Sequence, residues 1–282
     1  IYLPLCYNGA ANLYKGDDPM LYPTLADMEK TVRSARPIVF DRDLAGAVSE
    51  KGVCDYVTKA DTSVQKFIRD SLEKAFPDCA FMGEESPDHR VDPERPTFIL
   101  DPIDGTTNFI HGFCLSATSL ALALGGETLL AVIYNPFTDE LFSAEKGKGA
   151  FLNGNPIHVS DAPDLAHSLV AVGTMPYRKE TGSKYFGLYR ELYLRGVDIR
   201  RIGSAALDAC YVAAGRSDCY IENGLGTWDI AASRLIVAEA GGVMTDWKGN
   251  PTTLDKAVNA VAASNGKVHA ELLALMKEQL NS

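Results

Sequence analysis

The sequence predicts a mixed chain, α+β in its first part and α/β in its second, and three observations carry that expectation. Residues 61–134 show one long helical pattern and then short apolar runs joined by turn residues, as helices on a mainly antiparallel sheet would. From about residue 157 the pattern changes to strands alternating with helices. No internal repeat or low-complexity linker separates the two parts, so a broad shared interface is expected.

The elements follow in order. The opening IYLPLCYNGAANLYKGDDP has neither a helical period nor the positively charged start of a signal peptide, so residues 1–20 are read as an extension or an expression remnant. Val64, Phe67, Ile68, Leu72 and Phe76 recur at helical spacing over 61–76, with Asp61 opening this first helix and Pro77 stopping it. Residues 80–83 and 97–101 read as strands, and Pro102, with no N–H to donate, is expected to end the ladder of the second. Gly105 permits a tight turn, after which the N–H groups of Gly105, Thr106 and Thr107 open a short helix able to face an anion. Strands are expected at 115–124 and 129–134, with hairpins near Lys146-Gly147 and Asn153-Gly154. The second part reads as strand 169–173, helix 185–194, strand 198–202, an alanine-rich helix from Ser204 and strand 219–221. A helix over 229–240 closed by Gly241-Gly242, strands at Val243 and 258–262, and a helix over 268–280 complete it.

Composition narrows the function. The 282 residues are 46% apolar and carry a formal net charge of −10, which disfavours nucleic acid or an anionic membrane surface as partner. The apolar run at 115–124 is too short to span a bilayer and alternates like a strand. Six cysteines without a C-x-x-C pair suggest neither a zinc cage nor a redox motif, and are read as reduced core residues of a cytoplasmic protein.

The chemistry-bearing pattern is a set of acids at element ends. In FILDPIDGTTNF, Asp101 and Asp104 flank a strand's exit; Asp61 and Asp229 open helices, Glu84-Glu85 follow a strand in GEES, and Glu222 follows another. Each has a plain structural alternative. Asp61 and Asp229 can be first-turn acids, GEES a polar loop, Trp228 a core aromatic and His111 a structural histidine rather than half of a Thr-His nucleophile pair. Only the conjunction stands out: an all-oxygen donor set, which suits a hard cation such as Mg²⁺ and not zinc.

These segments, VTKAD at 57–61, GEES at 83–86, DPIDGTTNFIH at 101–111 and WDIAASRLIVAEAGG at 228–242, resemble in order and separation the signature segments of the inositol monophosphatase family, from about residue 50 to the end. The resemblance implies a layered α-β-α-β-α sandwich of the inositol monophosphatase and fructose-1,6-bisphosphatase type, with an N-terminal α+β metal-binding domain over 21–156 and a C-terminal α/β domain over 157–282. It implies a lithium-sensitive, cytoplasmic, homodimeric phosphatase with two or three Mg²⁺ per site. By that likeness Glu84, Asp101 and the Ile103 carbonyl, with Thr106 in many members, bind one Mg²⁺. Asp101, Asp104 and Asp229 bind another, and a weaker third lies near Glu84. Asp61, Glu84 and Thr106 are similar to the groups that activate water. Gly105 and Thr106 resemble phosphate-binding amides, and Asp104, Ala205, Glu222 and Asp229 the substrate-contacting set. Ser233, where glycine is common, and Cys114, where proline is common, depart from the family pattern away from the proposed ligands.

Physical argument agrees with that assignment. Phosphate-ester hydrolysis needs an in-line water, neutralised oxygens and help for the leaving alkoxide, and paired Mg²⁺ ions supply all three. A dehalogenase-type phosphatase needs its aspartates two apart, whereas Asp101 and Asp104 are three apart around a proline. No lysine-bearing phosphate loop is present. The expected substrate is a small phosphorylated polyol or sugar, inositol monophosphate first because Glu222 suits a ring hydroxyl. Fructose 1,6-bisphosphate, histidinol phosphate and adenosine 3′,5′-bisphosphate are the rivals, and a non-catalytic binding or regulatory role on the same scaffold is the alternative of another class.

Overall fold

Three short helices lead the chain in: α1 (Leu25–Ser34), α2 (Arg36–Val39) and α3 (Arg42–Ala45). The first starts at a capping box in which Thr24 N–H donates to Asp27 Oδ2 at 2.9 Å and Asp27 N–H to Thr24 Oγ1 at 3.2 Å. The computed structural model describes residues 22–52, 55–256 and 259–281, so the expected extension at 1–20, Cys6 and Cys54 lie outside the described residues. An antiparallel hairpin, β1 (Val48–Gly52) and β2 (Asp55–Thr58), then delivers the chain into the long helix α4 (Lys59–Ala75). Asp61 is therefore the third residue of the fourth helix, not the opening of the first.

A seven-stranded sheet follows, from β3 (Ala80–Gly83), β4 (Thr97–Asp104), β5 (Ala117–Leu124), β6 (Glu127–Asn135), β7 (Glu140–Glu145), β8 (Ala150–Leu152) and β9 (Asn155–Ile157), in that spatial order. Only β3 and β4 are parallel; every other pair is antiparallel, and from β5 to β9 the strands are joined by short turns as expected. The short helix α5 (Thr106–Ile110) hangs between β4 and β5. The remainder runs β10 (Leu169–Val172), α6 (Gly182–Arg195), β11 (Asp198–Arg200), α7 (Ala205–Ala213), β12 (Cys219–Leu225), α8 (Thr227–Ala231), α9 (Ser233–Glu239), β13 (Val243–Thr245), β14 (Asn259–Ser264) and α10 (His269–Asn281). Its five strands order as β11-β10-β12-β14-β13, with β10 parallel to β11 and β12, and β14 antiparallel to β12 and β13.

Side-chain alternation along the strands builds three cores from two sheets. Phe98, Leu100, Leu120 and Leu122 face α1 and α4 through Met28, Val32, Val64 and Ile68. Ile99, Ala121, Ala131 and Ile133, one residue out of phase, face α7, α8 and α9 through Ala209, Ile230 and Ile236, which rest in turn on Tyr220, Val261 and Ala263 of the second sheet. Val170, Ile221 and Ala262 on its other face meet Leu188, Leu192, Leu272 and Met276 of α6 and α10. The layers are thus α-β-α-β-α.

Four sequence expectations change. The β4 ladder does not stop at Pro102: Asp101 pairs with Ser119 and pairing resumes at Asp104 with Ala117, the proline lying in a bulge where no ladder N–H is required. The helix expected over 229–240 is two, broken at Ala232, where the Ser233 hydroxyl donates back to the Asp229 and Ile230 carbonyls at 3.3 Å each. Glu222 lies inside β12 rather than after it. Cys79, Cys210 and Cys219 are buried thiols, but Cys114 is exposed beyond α5.

Candidate active site

The carboxyl end of β4 and the starts of α4, α5, α7 and α8 converge on one cleft. Asp101, Asp104 and Asp229 each offer a carboxylate oxygen within 4.8 Å of the other two. Asp101 keeps its place by accepting the Ile103 N–H at 3.0 Å across the bulge. Asp104 is gripped from the next layer: Ser204 Oγ and the Ala206 N–H, at 2.8 Å, donate to its Oδ2, and the Ala205 N–H donates to Oδ1 at 3.3 Å. Asp229 is the third residue of α8, and its Oδ2 accepts the Gly226 N–H at 2.6 Å.

Between β4 and α5, Gly105 takes φ +85°, where a Cβ would lie 3.0 Å from the Gly203 carbonyl. Only glycine both reaches that backbone region and leaves the room. Thr106, next in line, donates its hydroxyl to the Ile103 carbonyl at 3.2 Å. Asp61 faces the cleft from α4: the Thr58 N–H donates to Oδ2 at 2.8 Å, while Oδ1 is buried with no hydrogen-bond partner. Glu84 stands beside the three aspartates, outside their tight group, with Lys51 Nζ 3.3 Å from its Oε1 and also paired to Glu85. Glu222 approaches from the second sheet, its Oε2 accepting the Tyr220 hydroxyl.

Electrostatically the cleft is costly as it stands. Burial raises the Asp101 carboxyl well above the usual carboxylate range, and Glu84, Asp104 and Asp229 add to the rise. Asp229 is raised by burial and then by Asp104 and Glu84. Asp104 is raised by burial despite its three donors, and Asp61 by burial despite Thr58. Glu84 is pushed up to about 7 by burial, with Lys51 opposing, and Glu222 to about 7 by burial, with the Tyr220 hydroxyl opposing. Buried like charges of this density are relieved by a bound cation or by protonation.

The structure therefore brings together every acid singled out in the sequence, with Gly105, Thr106 and Ala205 on the rim. His111 stands apart, exposed at the end of α5, and pairs with no threonine hydroxyl among the described residues. Trp228 is half-buried with the His89 ring packed against it at a tilt, centroids 4.6 Å apart, and His89 Nε2 meets the Glu84 carbonyl at 2.9 Å. Sequence reasoning missed Lys51, His89, Ser204 and Tyr220. It also missed Asp208, fully buried in α7, whose carboxylate oxygens have no partner among the described residues. Ser204 had a local signal, an N-cap before an apolar helix; Lys51 and Asp208 depend on contacts between distant segments, and Tyr220 and His89 on side-chain directions that periodicity does not give.

A family model described as the inositol monophosphatase family matches residues 18–281. The chain is 43% identical over 208 residues to the inositol-1-monophosphatase of Rhizobium meliloti, covering 74% of this chain and 78% of that protein. It is 36% identical over 264 residues to the Nus factor SuhB of Escherichia coli K12, covering 93% and 98%. A crystal structure of the extragenic suppressor protein suhB from Bartonella henselae superposes with TM-score 0.82 at 39% identity, covering 89% of this chain and 97% of that one. An IMPase from Thermotoga maritima does so with TM-score 0.81 at 35% identity, covering 91% and 98%.

Proposed function

Because this chain belongs to the inositol monophosphatase family of phosphatases, we propose that it hydrolyses inositol monophosphate to inositol and phosphate with Mg²⁺ as cofactor. The observation that carries the reading is the group of three carboxylates, Asp101 and Asp104 buried and Asp229 half-buried, with oxygens within 4.8 Å of one another. These residues fit a hard cation: the donors are all oxygen, they repel one another when ionised, and the neighbouring Asp61 Oδ1 is left without a partner. Glu84, Asp101 and the Ile103 carbonyl would hold one Mg²⁺ and Asp101, Asp104 and Asp229 another, with a third near Glu84. When bound, the ions supply positive charge against the phosphate oxygens and acidify a coordinated water.

The chain's own groups do the rest. Asp61, fixed through Oδ2 by Thr58, has Oδ1 free to take a proton from the attacking water, with Thr106 and Glu84 orienting it. Gly105 and Thr106 amides hold phosphate oxygens at the start of α5. Glu222, steadied by Tyr220, and the Ala205 backbone accept and donate hydrogen bonds to ring hydroxyls, helped by Asp104 and Asp229. Inhibition by lithium, a homodimeric state and a cytoplasmic site of action belong to the same reading and rest on the family. No helix among the described residues is long and apolar enough to cross a membrane.

The relatives named Nus factor SuhB favour a second reading, a non-catalytic binding role on the same scaffold. Phosphate release from inositol 1-phosphate, fructose 1,6-bisphosphate, histidinol phosphate and adenosine 3′,5′-bisphosphate, with Mg²⁺ and with chelator, separates the two. Mg²⁺-dependent release led by the inositol ester is expected. Preference for another ester overturns the substrate, and no release from any ester overturns hydrolysis in favour of the second reading.

A further inference from the structure

A second polar feature lies at the other end of the same sheet. Strands β5 and β6 turn at Gly125-Gly126, six to seven residues beyond Ser119, the partner of Asp101, which places the turn roughly 20 Å from the acid cluster along the strand. Beside the turn is a cavity of about 470 Å³, within the size range of small-molecule sites. Its apolar wall is Val91, Pro93, Pro251 and Leu254, and its polar groups include Arg234 and Thr252.

Arg234 is the unusual member. It is half-buried in α9, and its hydrogen bond is a long one, Nη1 to the Gly126 carbonyl at 3.4 Å. No carboxylate among the described residues lies within ion-pairing distance of it. Glu127, the acid that acts on it from farther off, is itself paired with Lys146, and Asp255, which also lines the cavity, makes no ion pair with Arg234. Burial pushes the guanidinium down from its ordinary value, the sign of a cation whose lost hydration is not compensated. It nonetheless stays charged near neutrality. Arg216, Arg200 and Arg33 are by contrast ion-paired, with Glu140, Asp198 and Asp139. A partly desolvated guanidinium without a carboxylate partner, opening on a mostly apolar cavity, has the donors that an oxyanion lacks in water-poor surroundings.

We propose that this cavity is a binding site for a small organic anion, its phosphate, phosphonate or carboxylate head on Arg234 and its apolar body on Val91, Pro93, Pro251 and Leu254. The site is separate from the acid cluster and takes a ligand without metal. In a chain of net charge −10 it is a local exception to the repulsion of anions.

Phenylphosphonate, which phosphatases cannot hydrolyse, tests it by calorimetry on the full chain in Mg²⁺-free buffer, where the acid cluster repels anions. One site is expected in the wild type and in Asp101→Asn, weakened by about tenfold or more in Arg234→Gln, as loss of a charge-assisted contact requires. No binding to the wild type, or equal binding in Arg234→Gln, overturns the proposal. Crystals of the wild type soaked in the same probe check it without a variant. Density against Arg234 supports the site, and density confined to the acid cluster refutes it.

Discussion

Two helix starts face the same cleft, and they hold their aspartates in the same way. In α4 Asp61 is the third residue and accepts the Thr58 N–H; in α8 Asp229 is the third residue and accepts the Gly226 N–H. Each cap uses one carboxylate oxygen and so fixes the side chain with the other oxygen turned away from its own helix. What that second oxygen meets differs. For Asp61 it is buried and unpartnered, whereas Asp229 lies with Asp101 and Asp104 inside a 4.8 Å group. The comparison teaches that a helix cap and a functional acid are not rival readings of one aspartate: the cap aims the acid. Under the proposed function the two would do different chemistry, proton transfer at Asp61 and cation binding at Asp229.

The contrast is broken most severely at the acids themselves. Asp229→Asn should lower kcat/KM on the order of 10³-fold, the scale of losing one well-placed charge at a reacting centre, with a large rise in the Mg²⁺ concentration needed. Asp61→Asn should lower kcat by about 10²- to 10⁴-fold, the scale of a general base, with the Mg²⁺ requirement nearly unchanged. Steady-state phosphate release across a Mg²⁺ titration reads both, and an equal shift in Mg²⁺ requirement for the two variants would erase the distinction.

Stability sharpens it next. Mg²⁺ at about a hundred times its dissociation constant should stabilise the fold by about 2.7 kcal/mol. Asp61→Asn should retain most of that gain and Asp229→Asn should lose it, as thermal melts with and without Mg²⁺ would record. A wild-type melt insensitive to saturating Mg²⁺ would contradict cation binding in the cleft.

An acid outside either cap gives the pH dependence. Glu222 has its carboxyl raised from 4.5 to about 7 by burial, so the folded state holds the proton more tightly than the unfolded chain. Its contribution is complete below about pH 4.5 and is lost as pH climbs to about 7, by up to about 3 kcal/mol. Denaturant titrations of metal-free protein should show this decline, and Glu222→Gln should flatten it. An unaltered slope in the variant would mean that Glu222 is ionised throughout that window.

The smallest expected effect is at the cap. Thr58→Ala removes the hydroxyl that serves Asp61 and the first turn of α4, at a cost of about 1 kcal/mol in urea unfolding. No measurable loss would show that the backbone N–H alone fixes Asp61.

Much of this site could be read from the chain because its acids lie next to residues with strong local meaning: Pro102, Gly105, the apolar runs ending at Leu100 and Ile221, and the helical spacing after Asp61. The same local reading misplaced the end of β4, since a proline forbids a ladder bond but not a bulge that omits it. It also drew α8 and α9 as one helix, because the back-bonding of Ser233 is invisible to periodicity. Lys51, Tyr220 and Asp208 matter only through neighbours 2 to 104 positions away, such as Glu84, Glu222 and Asp104. A charge contributed by a separate hairpin or layer leaves no mark on its own segment.

The bulge in β4 carries a consequence of parity. In a regular strand, residues an odd number apart point to opposite faces, so Asp101 and Asp104 would be divided between two layers. Three steps on β4 against two on β5, from the Asp101–Ser119 pair to the Asp104–Ala117 pair, insert one extra residue and restore the two aspartates to the same side. Straightening the strand while keeping both residues between them would therefore do more than smooth a bend. It would leave the chemistry of each aspartate intact and set the pair back to back.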